Sequence, residues 1–427
     1  MKTDEAETGE GAAARTTGPF PGVGPRRRWL VLAAGFLVLY ASYGVQFCFG
    51  LFLPEVEKAL APGNRGLVSL LFALYLLLSS LFSLASGAAT DRWGPRPVLA
   101  CGGALLGLGL LGFSRSQELW QGYLSHGLVA SLGMSTTWVP VTSLAVRWFP
   151  DRPGLASGLV TTGVGVGQLT VPPLSAVALV PLGWRTAYLI YGLALLAAFA
   201  LASLLVQRPP REVTTAATAD GGDDSYTLAE ALRLPAFWLF TAGLTVLWSV
   251  VYVPVVHLPP FAHDSLGLSP RAASLTMTMV AIGSILSRVV GGAFADVAGH
   301  RRALALAVLA EALGFLGMWA CAWTGNVPLL YGSAVLFGVG YGSVAGLYAA
   351  VLAHLFGRRW AGSISGVAFA CAAGTASMGV FVAGLIYQAS GGYGGAFALG
   401  MALAFLSLPL FLSLRRPERP PARAEVA

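Results

Sequence analysis

Arg288 is the one charged residue in the stretch Ala272 to Ala295, AASLTMTMVAIGSILSRVVGGAFA. A cation at bilayer depth costs about 2.5–3.5 kcal/mol on insertion scales, so such a group faces a cavity, an acidic partner or an anionic ligand. Its planar fork of donors stays charged at any relevant pH. A carboxylate accepts two parallel hydrogen bonds from that fork, which sets charge and orientation together. The competing interpretation is a structural ion pair, and acids able to form one are sparse. Glu311 is the one acid well inside another apolar stretch, while Asp91 and Asp296 stand at stretch ends, Asp296 two helical turns from Arg288. Ligand contact is the expectation adopted for Arg288.

Other polar residues could complete the coordination of a carboxylate. Tyr40, Tyr43 and Gln46 recur at spacings of three and share one helix face. Tyr341 and Tyr348, seven apart, also share a face, among Gly338, Gly340, Gly342 and Gly346, glycines suited to close helix packing. Ser284 lies one turn before Arg288, and Gln168 stands in another apolar stretch. For each of these, ordinary packing is the alternative. Two groups could take up a proton: His257, whose imidazole titrates near neutral pH, and Glu311. Their alternatives are a satisfied helix-end histidine beside Pro259 and Pro260, and an acid neutralised by burial. No paired acids, zinc-ligand spacing or phosphate-cradling loop appears, so neither an enzyme nor a bound metal or cofactor is expected. Cys48, Cys101, Cys321 and Cys371 read as small packing residues.

The elements that must position these groups are membrane helices. Hydrophobic residues make up 56% of the 427-residue chain and charged ones 11%, with mean hydropathy +0.71, too little polar surface for a water-soluble globule of this length. Twelve apolar stretches reach the roughly 20 residues needed to cross the hydrocarbon, from Trp29–Leu53 to Tyr393–Leu414. With both termini inside, the inner segments hold 20 of the 26 Lys and Arg, the outer loops hold 5, and Arg288 is the remaining one. That asymmetry follows the positive-inside rule and would scramble with a miscounted helix. The basic excess is spread over seven inner segments, so it reads as topology and no nucleic-acid partner is expected. Residues 1–28 are expected to form a disordered inner N-terminus, with no secretory signal ahead of the first span.

The chain also repeats itself. Gly87, Asp91, Gly94 and Arg96 follow the second stretch, and Gly292, Asp296, Gly299 and Arg301 follow the eighth, both as G-x-x-x-D-x-x-G-x-R. Arg92 follows the first aspartate. A second echo pairs Arg147–Arg152 and Ser157-Gly158 with His354–Arg359 and Ser365-Gly366 at nearly the same offset. Two matches at one offset indicate internal duplication. In each motif the first glycine permits close helix approach, the second a tight turn, and the arginine anchors the loop at an anionic leaflet. A gating element and a plain helix-connecting turn are both open.

Twelve spans in two halves, with this motif after the second, resemble the major facilitator superfamily, over almost the whole of residues 29–414. Three stretches resemble its monocarboxylate and oxalate transporter branch: Arg147-Trp-Phe-x-x-Arg152 through Gly158 to Pro172-Pro173, then Pro254-Val-Val-His257-Leu-Pro-Pro-Phe-Ala-His-Asp264, then Arg288 with Gly292 and Asp296. The resemblance implies an all-α membrane protein of two pseudo-symmetric six-helix bundles, at 29–206 and 235–414. A cytoplasmic linker at 207–234 and a short tail at 415–427 complete the expected organisation. It implies a secondary active transporter of a small organic anion, most simply a lactate- or pyruvate-like monocarboxylate, moved by alternating access with proton coupling, for which His257 and Glu311 are the candidates read from the residues. Tyr40, Tyr43 and Gln46 would then face Arg288 from the other half.

The sequence also departs from that branch. Animal monocarboxylate transporters tend to carry a lysine in the first helix and an aspartate one turn before the helix-eight arginine, where this chain has Phe47 and Ser284. Oxalate exchangers carry a second cation in helix eleven, whereas the two lysines here are Lys2 and Lys58. A single membrane cation suits a monoanion better than a dianion. The rival expectations are a proton-driven drug or metabolite exporter, a dicarboxylate or anion exchanger, and a membrane nutrient sensor, which the short tail disfavours. A monomer is expected in a plasma membrane, with the Ala-, Gly- and Arg-rich composition leaning to a bacterial inner membrane.

Overall fold

The computed structural model describes residues 25–208 and 225–417, and among these every regular element is helical. Twelve helices are long and apolar enough to cross a bilayer: Arg26–Gln46, Leu70–Trp93, Pro95–Ser114, Leu119–Trp148, Pro153–Ala178, Trp184–Leu205, Pro235–Ser265, Ala272–Ala298, His300–Thr324, Val327–Phe356, Ala361–Tyr387 and Gly394–Leu412. They are called the first to twelfth spans below. The fold is an all-α membrane protein of the expected class.

The ends differ in detail from the sequence expectation. The first helix begins at Pro25, so residues 25–28 of the expected disordered N-terminus are helical, and residues 1–24 lie outside the described residues. It breaks at 47–48 and resumes as Phe49–Leu60, where one unbroken span to Leu53 had been expected. Of the expected linker, 209–224 lies outside the described residues. Its end carries a helical turn, Leu228–Ala231, started by a reciprocal capping box between Thr227 and Glu230. The Tyr226 amide donates to the Phe356 carbonyl at 2.8 Å and its hydroxyl to that of Pro417 at 3.3 Å. Of the expected tail, 418–427 is outside the described residues. Arg28 meets Asp151 at 3.5 Å, and the Arg358 guanidinium donates to the Pro150 carbonyl at 3.0 Å. Both ends of the described chain therefore sit at one end of the bundle, here the terminal end.

Lipid tails are as apolar as leucine, so packing and polar contacts, more than water exclusion, join these helices. The eighth span shows the resulting inversion. Leu286, Val290 and Val297 are exposed on its outside, whereas Ser284, Ser287 and Arg288 are buried inside. A charge in a membrane span is tolerated when it faces the bundle interior.

Four spans are interrupted part-way. Proline has no N–H to bond the carbonyl four residues back, and its ring crowds that carbonyl. Pro140 thus loosens the fourth span at Thr136, and Pro254 the seventh at Val250. At those positions the amides bond carbonyls three residues back: Thr136 to Gly133 at 3.1 Å, Thr137 to Met134 at 3.0 Å, and Val251 to Trp248 at 3.2 Å. The first span breaks at 47–48 and the eleventh at 374–375, between Ala361–Ala373 and Ala376–Ser390. Broken helices at membrane depth are tolerated where they line a cavity.

Candidate functional site

The four interruptions converge on one cavity of about 420 Å³. Gln46 and Phe47 reach it from the first break, Ser135 and Trp138 from the fourth span, Trp248 and Tyr252 from the seventh, and Ala373 and Gly374 from the eleventh. Tyr341 closes it from the tenth span, and Phe369 from the eleventh. Among the described residues no Asp, Glu, His, Lys or Arg lines it. Aromatic contacts knit its floor across the sequence halves: Tyr43 to Trp138 at 5.7 Å, Trp138 to Phe369 at 5.9 Å, and Phe369 to Trp248 at 5.5 Å between ring centroids.

Arg288 lies directly behind this wall. It is 1% exposed and does not line the cavity, and its guanidinium sits 5.4 Å from the ring centroid of Tyr341, which does. A guanidinium on a ring face gains cation–π attraction, more so when desolvated. Its Nε donates to the Ser284 hydroxyl at 3.2 Å, and its Nη1 to the Thr161 carbonyl of the fifth span at 3.2 Å. The ionisable groups closest to it electrostatically are the hydroxyls of Tyr341, Tyr43 and Tyr252. Among the described residues no carboxylate reaches it at salt-bridge distance. The ion-pair alternative is thereby disfavoured: this is a buried cation with neutral partners, next to an uncharged cavity.

The terminal end is closed by two clasps of one design. The Asp91 carboxylate accepts from the amides of Gly362 at 3.2 Å and Ser363 at 2.6 Å, at the start of the eleventh span. Asp296 accepts from the amides of Gly154 at 2.8 Å and Leu155 at 2.9 Å, at the start of the fifth. Helix N-termini present free amides and a partial positive charge, so each aspartate caps the opposing helix. Gly94 and Gly299 both turn the chain at φ +93°. A Cβ on Gly87 would overlap the Gly362 carbonyl, and one on Gly158 the Arg288 carbonyl. The clasps differ in two places: the Ser363 hydroxyl also donates to Asp91 at 2.7 Å, where the other clasp has Leu155, and the basic residue differs. Arg147 pairs with Asp91 and donates to the Arg359 carbonyl at 3.2 Å, whereas its counterpart in the repeat, His354, stacks on His300 at 4.8 Å.

The sequence profile of the Major Facilitator Superfamily matches residues 31–380. The chain belongs to the major facilitator superfamily. Monocarboxylate transporter 11 of Homo sapiens is 29% identical over 403 residues, covering 91% of this chain and 83% of the human protein. Monocarboxylate transporter 13 of Bos taurus is 28% identical over 420 residues, covering 92% of each. Among solved structures, the proton:xylose symporter XylE superposes with a TM-score of 0.74 at 13% identity, over 91% of this chain and 96% of that one. The protein is thus a membrane transporter of the monocarboxylate-transporter-like branch, and not an enzyme.

In this major facilitator chain the residues singled out from sequence divide into three groups. Tyr43, Gln46 and Tyr341 line the cavity, and Ser284 holds Arg288. Tyr40, Gln168 and Tyr348 do not line it. The Tyr40 hydroxyl turns to Thr170 of the fifth span at 3.3 Å. A three-residue spacing rotates a helix position by about 60° relative to its neighbour, enough to carry one end of a triplet, here Tyr40, off the shared face. Tyr348 donates to the Ser365 carbonyl and packs on Phe240 and Trp248 in the core.

The proton candidates also lie off the cavity wall. His257 Nε2 is 3.1 Å from the Val380 carbonyl, tying the seventh span to the eleventh. Glu311 packs against Gly340 of the tenth span, and its Oε1 has no hydrogen-bond partner among the described residues. Arg92, Arg96 and Arg301 are exposed at the terminal end. Sequence reasoning missed Tyr252, Trp138, Trp248 and Phe369. Their nearness to Pro140, Pro254 and Gly374 was the available signal, because a broken helix in a membrane marks a lined cavity. Replacing Pro254 by Ala restores an amide able to bond Val250, straightening the seventh span at the cavity. The expected outcome is a transport rate lowered several-fold with the thermal midpoint unchanged or raised, read from uptake and a melting curve on the same preparation.

Proposed function

We propose that the protein is a secondary active carrier of a small organic anion, most simply a monocarboxylate, working by alternating access. The observation that carries this is Arg288: a cation buried at membrane depth, without a carboxylate partner, one ring away from an uncharged cavity. A carboxylate displacing the Tyr341 ring takes two donors from the guanidinium fork, with the hydroxyls of Tyr43 and Tyr252 at hand. Charge neutralisation favours closure of the cavity around the anion, because an isolated buried cation costs more in a closed, dry site than a paired one. The names of the relatives support the same substrate class.

In this account the halves at 29–206 and 235–414 rock about the site, the linker at 207–234 lets them move, and the aspartate clasps hold the terminal end shut while the cavity loads from the opposite end. Release on the terminal side requires both clasps and the Trp138–Phe369 contact to part. Both termini are cytoplasmic, on the charge asymmetry of the loops; the carrier is taken as a monomer in the plasma membrane. Proton symport belongs to the same proposal. Glu311, enclosed and with an Oε1 that has no hydrogen-bond partner among the described residues, and His257, which bridges the seventh and eleventh spans, are the groups able to take the proton. One cation argues against a dicarboxylate. The apolar wall favours a second reading, export of an apolar or cationic compound.

The deciding experiment is uptake by proteoliposomes of radiolabelled lactate, pyruvate, acetate, oxalate and one cationic drug, with and without an inward proton gradient. Saturable monocarboxylate uptake driven by the gradient is expected. Drug transport without anion transport would replace this proposal by the exporter, and gradient-independent anion exchange would remove the proton.

A further inference from the structure

Most polar side chains on the cavity wall already have a use. The hydroxyls of Ser79, Ser80 and Ser135 donate to the carbonyls of Leu76, Ala370 and Leu132 at 2.9, 3.2 and 2.7 Å. The indole nitrogens of Trp138 and Trp248 are sealed from solvent. Tyr43 adjoins Thr137, and Tyr341 adjoins Arg288. Two groups are left over, Gln46 of the first span and Tyr252 of the seventh. Neither side chain makes a hydrogen bond among the described residues, and the polar atoms of both stay open to the cavity.

Gln46 is the more informative of the two. It is 9% exposed, on the cavity side. Its amide carries two N–H donors and a carbonyl acceptor, with no charge. Kept dry and unpaired, such a group costs about as much as a lost hydrogen bond. Packing alone would be met by a leucine or methionine of similar size without that cost. Tyr252 stands beside Tyr341 and Arg288, where a carboxylate is held in the function proposed above. The amide and the guanidinium come from different sequence halves. A carboxylate calls for donors alone. An uncharged donor–acceptor pair matches a hydroxyl, which gives and takes a hydrogen bond, or an oxo group, which takes one.

We propose that Gln46 is a specificity-determining residue of the cavity: it hydrogen-bonds a hydroxyl or oxo group on the substrate while Arg288 and Tyr252 hold the carboxylate. This rests on the anion-carrier function proposed above and adds a second point of recognition to it. A substrate with both groups ties the two halves together. A plain fatty acid engages one half and leaves the amide unpaired. A site built to bond a polar group on its substrate rejects the analogue lacking that group for this reason.

The test is uptake by proteoliposomes of the full-length protein, with acids that differ only in that group. Lactate and pyruvate are set against propionate, and 2- and 3-hydroxybutyrate against butyrate. At least one substituted acid is expected to be taken up about ten-fold or more faster than its plain counterpart at sub-saturating concentration. The position that gains reports the spacing between the two points. Gln46→Leu and Gln46→Met are similar in size and lack the amide. Each is expected to bring the ratio to about one, lowering uptake of the substituted acid while uptake of the plain acid holds. Retained uptake of the plain acid also shows that the variant folds. Tyr252→Phe is expected to lower both acids alike and leave the ratio in place. Equal uptake of substituted and plain acids by the wild type overturns the second point of recognition and leaves the anion carrier standing. An undiminished ratio in both Gln46 variants, or an equal fall for both acids at an unchanged melting temperature, overturns the role of Gln46. Uptake of no acid by the wild type removes the anion carrier and this inference with it.

Discussion

Arg288→Gln is expected to lower carboxylate uptake at sub-saturating concentration by about 100-fold or more, with the fold intact. A hydrogen bond to a charged group contributes about 1.5–3 kcal/mol, so losing a bidentate pair corresponds to roughly 10²–10⁴ in affinity. The glutamine amide nitrogen falls where Nε stands and can still donate to the Ser284 hydroxyl, while the contact that Nη1 makes to Thr161 is given up. The substitution also removes the cost of a buried charge, so the melting temperature should hold or rise. Arg288→Lys separates charge from geometry: an ammonium keeps the attraction but not the planar fork, and an intermediate loss is expected. Uptake by the glutamine variant equal to wild type, at matched folding, would make Arg288 structural and leave the anion site without its centre.

Gly158→Leu should open the terminal end of the bundle. Even a single Cβ at this position overlaps the Arg288 carbonyl, and the clash is with backbone, so no side chain can swing aside. Overpacking of this kind costs about 1–3 kcal/mol. Because the contact joins the fifth span to the eighth, across the halves, the strain is relieved by separating them as well as by distorting either. A shift of that size changes the ratio of closed to open states about 5- to 150-fold.

The readout is thiol modification of a cysteine placed at Ser157, fully buried at the same contact, in a chain whose own four cysteines are replaced. Its modification is expected to rise about ten-fold or more. Asp296→Asn supplies an independent route. It weakens the cap on Gly154 and Leu155 without adding bulk, and should shift labelling in the same direction. Unchanged labelling in both variants would show that these contacts do not hold the end shut.

Much of the architecture was legible because a bilayer enforces it. Each span must satisfy its own backbone in hydrocarbon, so length and hydropathy reveal twelve helices directly. The duplicated glycine–aspartate motif likewise announced two related halves. What the motif could not reveal was its partner: Asp91 bonds residues 362 and 363, Asp296 bonds 154 and 155, and neither pairing follows from spacing within a helix. Proline chemistry at Pro140 and Pro254 was present in the sequence, yet only the folded chain shows those two breaks meeting those of the first and eleventh spans at one depth.

The candidate site divides on the same line. That a lone arginine in the eighth span needs a reason was fixed by the energetics of charge in hydrocarbon, a property of the residue and its neighbours in sequence. What stands beside it depends on what the helices bring alongside, and there Thr161, Ser284 and Tyr341 surround it in place of an acid. Tyr40 and Tyr43 looked equivalent by spacing and face different helices, because the rotation of a helix about its axis is set by packing. The sequence by itself determined the solvent, the number of crossings, the repeat and the buried cation, all one-dimensional consequences of composition and order. Tertiary structure decided the contents of the cavity, the closed end and the meeting of Trp138 and Trp248 on Phe369, since each is a meeting of helices far apart in the chain.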